Sequence, residues 1–432
     1  MSTKDHLMIT ARKLLGALAL TAAVTLTAAC GASGTSGGGA AAGSTDVKLR
    51  MTVWTSNEDQ LKLFNSIGDA YKAEHPEVTS ITFESLPFAD YNTTLTTQIA
   101  GGNAPDLAWM GDLSKDLIGA DALVGLTDKL KATNGWNYDD LEDSATKEFS
   151  RDGKLYAYPF SNSPFALYVN NDLLAKAGQK IDPKTLTWDQ VAAAGAAVHA
   201  KTPKAGFVVR DFDYTAWNML ATVWTGFGAS AWSADGKTCE FGSPQMQQAF
   251  TFLHDAAFKT KAMPGPGTKA DFFAGDAAFT VAQVSRASLL KGSFKFGLYP
   301  LPAGPAGKYS VLGQAGVGVL AASKHRDQAT DFLAYLTNPA NAEKLAQFFP
   351  PPRKSLLTGE KLAANNKVLS AAQLQEVVVD QLPKAVTLPN HTKPAEIAQK
   401  GKTALDTLWK PDADIPAVLN SVCAAIEPIL AK

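Results

Sequence analysis

Chemistry that needs fixed residue spacings is sparse in this chain. Its histidines, at 6, 75, 199, 254, 325 and 391, are scattered, and no pair has metal-ligand spacing. Neither His-Glu-x-x-His nor a P-loop occurs, so metalloprotease and nucleotide-hydrolysing readings lack their residues. Gly34-Thr35-Ser36-Gly37-Gly38 fits G-x-S-x-G, but it lies in low-complexity sequence without the flanking strand and helix of a nucleophile elbow. Two stretches, Gly226–Ala231 and Gly316–Ala321, fit G-x-G-x-x-A. The first follows a Trp-rich helical stretch and the second falls inside an apolar strand-like run, so neither has the dinucleotide-binding context. What stands out instead is aromatic and polar residues at expected strand ends. Trp54 leads into Asn57 and Glu58, and Trp109 is followed by Met110 and Asp112. Aromatic rings stack on the C–H faces of sugars, and amides and carboxylates pair with their hydroxyls. A carboxylate can take two hydroxyls through charge-assisted bonds. A glycosidase would need two carboxylates held about 5–10 Å apart; the chain offers carboxylates without that signature.

The elements that must position these residues follow from periodicity. Val47–Trp54 alternates apolar and polar residues and reads as a strand. An amphipathic helix to about Glu74 follows, with Leu61, Phe64, Ile67 and Tyr71 at helical spacing. Ile81–Phe83 is a second strand, Tyr91–Ile99 a helix, and Pro105–Met110 a third strand. Strand–helix–strand order implies parallel pairing with right-handed crossovers. Ligands of such sheets sit beyond the carboxyl ends of strands, which puts 54–59 and 109–112 on one rim. Further on, 153–174 reads as a strand broken by Pro159 and the polar patch Ser161-Asn162-Ser163-Pro164, as a chain crossing between two bodies would be. A helix is expected from Trp188 to about Lys201, a strand at Phe207–Val209 and a helix over Gln245–Phe258. A Trp-rich segment holds Tyr214, Trp217, Trp224 and Trp232. Trp217 and Trp224 share one helix face, and core packing is the alternative role for these rings. The tail, Ala413–Ala431, reads as helix interrupted by Pro416 and Pro428.

The chain of 432 residues, with 46% hydrophobic and 19% charged content, fits a soluble protein of two or three domains. A net charge of −1 argues against nucleic-acid binding, which needs a basic surface. Lys4, Arg12 and Lys13 precede an uncharged run, Leu14–Ala29, that is short of the ~20 residues of a membrane span. It ends Leu26-Thr27-Ala28-Ala29-Cys30, which looks like a lipoprotein signal peptide (1–29) with Cys30 as the acylated residue. The usual motif has Leu where Thr27 stands; a plain signal peptide or an uncleaved anchor is the alternative. Residues 30–45 are almost all Gly, Ala, Ser and Thr, a flexible tether. With Cys30 assigned to lipid, Cys239 and Cys423 remain in an exported, oxidising setting. A Cys239–Cys423 disulfide is expected, two separate buried thiols being the alternative.

Gly153-Lys154-Leu155-Tyr156-Ala157-Tyr158-Pro159, leading into a strand that ends Tyr168-Val169-Asn170, resembles the lobe crossover of family 1 extracellular solute-binding proteins of bacterial ABC importers, the maltose-binding-protein type. The resemblance extends over Phe272–Phe279, the turn-rich Leu301–Gly307, the returning strand Gly313–Leu320, a helix over Ala329–Leu336, and Pro350-Pro351-Pro352-Arg353, similar to a Pro-x-Arg loop near the family's cleft. It implies an α/β fold of two lobes, periplasmic-binding-protein-like type II, with 46–157 and 309–349 in lobe 1 and 158–308 and 350–432 in lobe 2. It implies a monomer without cofactor, metal or catalytic residues, lipid-anchored at the outer face of the membrane. Such a protein closes by a hinge on a sugar or oligosaccharide and delivers it to a membrane permease; a non-sugar polar solute is the alternative cargo. Carried over residue by residue, the ligand-binding set is Trp54, Asn57, Glu58, Trp109, Met110, Asp112, Asn162, Ser163, Gln283, Arg286, Gln314 and Arg353, with Tyr214, Trp217 and Trp224 as possible stacking platforms. Two departures bear on the cargo. No carboxylate stands at the 161–163 patch, and Ala282-Gln283-Val284-Ser285-Arg286 replaces the family's Gly-x-Trp, which suits a more polar or acidic ligand.

Overall fold

The computed structural model of this chain describes residues 46–209, 219–265, 270–290 and 292–431. The expected signal peptide, Cys30, the tether, Tyr214 and Trp217 lie outside the described residues.

The first body is built as periodicity predicts. Strand β1 (Val47–Val53) buries Leu49, Met51 and Val53 on alternate positions. Helix α1 (Glu58–Glu74) starts at Asn57, whose side chain accepts from the backbone N–H of Asp59 and Gln60. It packs Phe64, Ile67 and Tyr71 inward. Strand β2 (Val78–Ser85), helix α2 (Tyr91–Ala100) and strand β3 (Leu107–Met110) follow. β1 pairs with β2 and with β3, both parallel, as the alternation of strand and helix requires. Short helices α3 (Ser114–Gly119), α4 (Thr127–Ala132) and α5 (Asp143–Thr146) lead to a hairpin of β4 (Ser150–Arg151) and β5 (Lys154–Leu155).

Strand β6 (Ala157–Asn170) then runs through both bodies, every residue buried. The expected break at Pro159 and 161–164 is absent: the strand is continuous. Its first part pairs antiparallel with β10 (Ser310–Val319), and its second part pairs with β8 (Ala277–Gln283) and β9 (Phe296–Tyr299). Proline is accommodated by a bulge. Tyr158 faces Val317 and Ser161 faces Ala315, so Pro159 and Phe160 together oppose Gly316.

The second body holds α6 (Asn171–Lys176), α7 (Trp188–Lys201, opened by a Thr187–Gln190 capping box), β7 (Ala205–Val209), α8 (Ala221–Trp224) and α9 (Pro244–Phe258) before β8. After β10 come α10 (Arg326–Leu336), α11 (Pro339–Leu345), α12 (Gly359–Ala363), α13 (Ala371–Leu374), β11 (Ala385–Thr387), α14 (Pro394–Leu405) and α15 (Ile415–Leu430). The tail is one helix, not an interrupted one. Pro416 stands in its first turn, where an N–H would lack a partner anyway, and Pro428 is near its end. Cys239 and Cys423 form a disulfide that ties the loop before α9 to α15.

The sheet order is β2-β1-β3-β10-β6-β8-β7, but it serves separate cores. One core gathers Val47 to Phe160 with Ala315 to Phe349. Another gathers Phe165 to Val311 with Ile397 to Leu430. A third covers the opposite face of the second body's strands, so Phe207 and Val209 point to one core and Val208 to the other. Only β6 and β10 run continuously through both bodies, called lobe 1 and lobe 2 below. No helix among the described residues is long and apolar enough to cross a membrane.

Candidate functional site

A cavity of about 430 Å³ lies between the two lobes. Its lobe 1 wall is made by the residues that follow β1 and β3. Trp54, half-buried, is gripped edge-on by Phe88, Tyr91 and Trp109, with ring centroids 5.9, 5.0 and 5.0 Å away. Tyr91 cannot drift, because its hydroxyl lies 3.0 Å from Thr52 Oγ1 and donates to the Trp109 carbonyl at 3.0 Å. Burial pushes that phenol's pKa up and keeps it a neutral donor at ordinary pH. Behind Trp109 stand Phe160 and Phe349, at 4.7 and 5.8 Å. Phe160 reaches the cavity from the bulge in β6, which turns the side chains of Phe160 and Ser161 toward it.

The lobe 2 wall sets polar groups among the apolar side chains of Met219, Leu289, Leu312 and Leu388. Ser163 Oγ accepts from the Ser285 N–H at 2.9 Å, and the Tyr168 hydroxyl donates to the Gln283 carbonyl at 2.9 Å. These bonds fix the turn carrying Gln283, Ser285, Arg286 and Ser288. A Cβ at Gly313 would crowd this turn, meeting Gln283 Nε2 at 2.9 Å and Cγ at 3.0 Å, so the side chain would have to shift. The Arg286 guanidinium lies over Phe273, 5.2 Å from the ring centre. Between the walls, Gln314 on β10 donates through Nε2 to Asn162 Oδ1 at 2.7 Å and to the Ala145 carbonyl at 3.2 Å. The lobes touch at the rim. Asn57 Nδ2 donates to Ser288 Oγ at 3.4 Å, Lys115 Nζ donates to the Asn390 carbonyl at 3.1 Å, and the Lys393 N–H donates to Asp116 at 2.9 Å.

Of the residues singled out from sequence, Trp54, Asn57, Trp109, Asp112, Ser163, Gln283, Arg286 and Gln314 line this cavity. Asn162 stands one layer behind it, fully buried, and orients Gln314. Four others stand elsewhere. Glu58 is in the first turn of α1 with its side chain 87% exposed, because that position faces solvent once Asn57 caps the helix. Met110 is wholly buried in the lobe 1 core, since alternation turns it away from the rim. Trp224 packs edge-on against Phe241 in the lobe 2 core. Arg353 is wholly buried over Trp136, donating to the Thr337 carbonyl at 2.9 Å, and is part of the lobe 1 frame. Tyr214 and Trp217 lie outside the described residues.

The cavity also recruits residues that periodicity could not reach. Ser114, Glu148, Ser288 and Asn390 come from short helices, single-turn segments and a loop with no repeating pattern. Phe88, an exposed aromatic beside Trp54, was likewise not singled out from sequence. Among the described residues, no group of three or more His, Cys, Asp or Glu is placed to hold a metal ion. A second hollow, of about 730 Å³ around Tyr71, Trp136 and Tyr335, lies on lobe 1 alone and away from the strand ends.

Comparison with known proteins agrees with this architecture. The sn-glycerol-3-phosphate-binding periplasmic protein of Pectobacterium atrosepticum is 26% identical over 361 residues, which is 76% of this chain and 77% of that protein. The arabinooligosaccharide-binding protein of Halalkalibacterium halodurans is 25% identical over 326 residues, 70% of this chain and 71% of that protein. Among solved structures, an ABC substrate-binding protein from Listeria monocytogenes in complex with cycloalternan superimposes with a TM-score of 0.78 at 21% identity, covering 90% of this chain and 99% of that one. The sequence pattern of the family described as bacterial extracellular solute-binding protein matches residues 54–343. With that match over most of its length and a cleft between two lobes, the chain belongs to the bacterial extracellular solute-binding protein family.

Proposed function

We propose that this protein captures a sugar or oligosaccharide between its lobes and delivers it, unaltered, to the membrane permease of an ABC importer. The observation that carries the reading is the pairing of walls in one cavity: aromatic Trp54 and Phe88 on lobe 1, amides and hydroxyls of Gln283, Ser285 and Ser288 on lobe 2. A ring face and a ladder of hydrogen-bond groups are what a sugar's two kinds of surface require. The volume of about 430 Å³ lies within the range of small-ligand pockets. Relatives that bind an arabinooligosaccharide or sn-glycerol 3-phosphate support a polyhydroxylated cargo.

Closure is a hinge motion of the two lobes about β6 and β10, and a solute favours it only by binding the closed form better. Asn57–Ser288 and Lys115–Asn390 are bonds that this motion makes and breaks. Trp54, Asn57, Trp109, Asp112, Ser163, Gln283, Arg286 and Gln314 are the proposed contacts. The protein works as a monomer tethered through acylated Cys30 at the outer membrane face. Two acyl chains, each adding about 0.8 kcal/mol per buried CH₂, are sufficient to hold it there.

The test is thermal unfolding against a panel of mono- and oligosaccharides and polyol phosphates. A solute at 100 times its dissociation constant adds about 2.7 kcal/mol of stability. A shift with at least one saccharide supports the reading. No shift with any saccharide, together with a shift from a non-sugar solute, replaces it. Release of reducing ends by the pure protein would identify a glycosidase instead.

A further inference from the structure

Resting on that reading, we infer that Glu148 is the residue that selects for neutral hydroxylated solutes over phosphorylated ones. Glu148 lines the cavity at the end of the short turn after α5, and its side chain is 22% exposed. Its Oε2 is buried and ion-paired with Lys115 Nζ at 3.3 Å, and among the described residues it accepts no hydrogen bond. The same Lys115 ammonium also donates to the Asn390 carbonyl at 3.1 Å. It therefore steadies the carboxylate and belongs to the contact between the lobes.

Lys115 apart, several residues that line the cavity with Glu148 present oxygens. Gln314 must present its oxygen, because its nitrogen is spent on Asn162 Oδ1 at 2.7 Å and on the Ala145 carbonyl at 3.2 Å. Asn162 is itself fixed, donating from Nδ2 to the Pro159 carbonyl at 3.2 Å. Among the described residues this leaves Gln314 Oε1 and Asn390 Oδ1 as buried acceptors without a hydrogen-bond partner, beside the unmatched Ser114 hydroxyl, which can accept or donate; all three residues line the cavity. Buried acceptors left unmatched are costly, so this end of the cavity favours a solute bearing donors. A sugar hydroxyl donates to a carboxylate and to an amide oxygen. A phosphate at neutral pH offers mainly acceptors and brings negative charge to a lining that already holds the carboxylates of Glu148 and Asp112. Arg286, the cation of the lining among the described residues, belongs to the opposite lobe and lies over Phe273.

The experiment is isothermal titration of the purified full chain and its Glu148→Gln variant with maltotriose, arabinotriose and sn-glycerol 3-phosphate. The wild type is expected to bind a saccharide more tightly than the phosphate. Glu148→Gln replaces one acceptor by a donor and removes the charge. It should weaken saccharide binding about 10- to 100-fold, as for loss of a charge-assisted bond, while affinity for sn-glycerol 3-phosphate holds or rises. Glu148→Asp, which keeps the charge, should retain more saccharide affinity than Glu148→Gln. Equal saccharide binding by wild type and Glu148→Gln overturns the assignment and leaves the saccharide reading standing. A wild type that prefers sn-glycerol 3-phosphate overturns it too, and that comparison needs no variant to fold. A wild type that binds neither of these saccharides nor any saccharide of the thermal panel removes the underlying reading and this inference with it.

Discussion

Arg353 carries a full charge with no exposure to solvent, and its neighbours explain how. Asp140 is 3.6 Å away, the Thr337 and Asn137 carbonyls accept at 2.9 and 3.2 Å, and the guanidinium lies 4.4 Å from the Trp136 ring centre. Removing one partner of such a buried pair costs about 3–5 kcal/mol, because the other charge is left uncompensated. Arg353→Met is therefore expected to lower the unfolding free energy by that amount, read from urea unfolding, while leaving the dissociation constant for a bound saccharide unchanged. A changed dissociation constant with unchanged stability would return Arg353 to the ligand set. The general difficulty is visible here. An Arg in a Pro-rich loop near an expected cleft looks the same in sequence whether it faces solute or Trp136. Trp224 and Met110 raise the same problem: type and neighbourhood were legible, but direction was not. Direction was legible where a helix cap or a strand end fixes it, as at Asn57, Trp54 and Asp112.

Among the elements, β7 and α7 meet without side chains between them. A Cβ on Gly206 would stand 2.2 Å from the Ala262 carbonyl oxygen and 2.5 Å from the Gly195 carbonyl carbon, all rigid backbone. Gly206→Ala must push α7 off the sheet, so a loss of about 1–3 kcal/mol or more is expected by urea unfolding. An unaffected midpoint would mean that the contact is looser than its geometry. β1 and α1 were legible because their apolar residues repeat with a clear period, whereas α10 was read from the family resemblance. β6 was not, because two prolines and a polar run lack the pattern of a strand. Its continuity comes from partners on both sides and from a bulge that spares Pro159 a ladder position. Helix α15 was misread for a related reason: the two prolines sit where a helix tolerates them.

At the scale of the whole molecule, several buried phenols set an alkaline limit. Burial pushes the Tyr158 pKa up to about 12, with the nearby Arg353 pulling it partly back. Burial also raises Tyr71, Tyr91, Tyr168 and Tyr309. Above pH ~10 the unfolded chain loses these protons while the folded chain keeps them. Stability therefore falls with rising pH, by up to about 1.4 kcal/mol per pH unit for each group. Melting temperatures measured from pH 9 to 11 should drop steeply past 10; a flat profile would mean these rings are hydrated. The Cys239–Cys423 bridge joins two parts of lobe 2 that lie 184 residues apart in sequence. Replacing both cysteines by serine should cost about 2–5 kcal/mol, read from urea midpoints with and without reductant. A reductant-insensitive midpoint in the wild type would contradict this.

The central claim is that a saccharide is held against Trp54 in the cavity between the lobes. Isothermal titration of wild type and Trp54→Ala with whichever saccharide raises the melting temperature tests it most directly. One site per chain, weakened at least about tenfold in Trp54→Ala with the fold retained by circular dichroism, is the predicted result. Equal affinity in the two proteins would place the solute somewhere else and contradict the account.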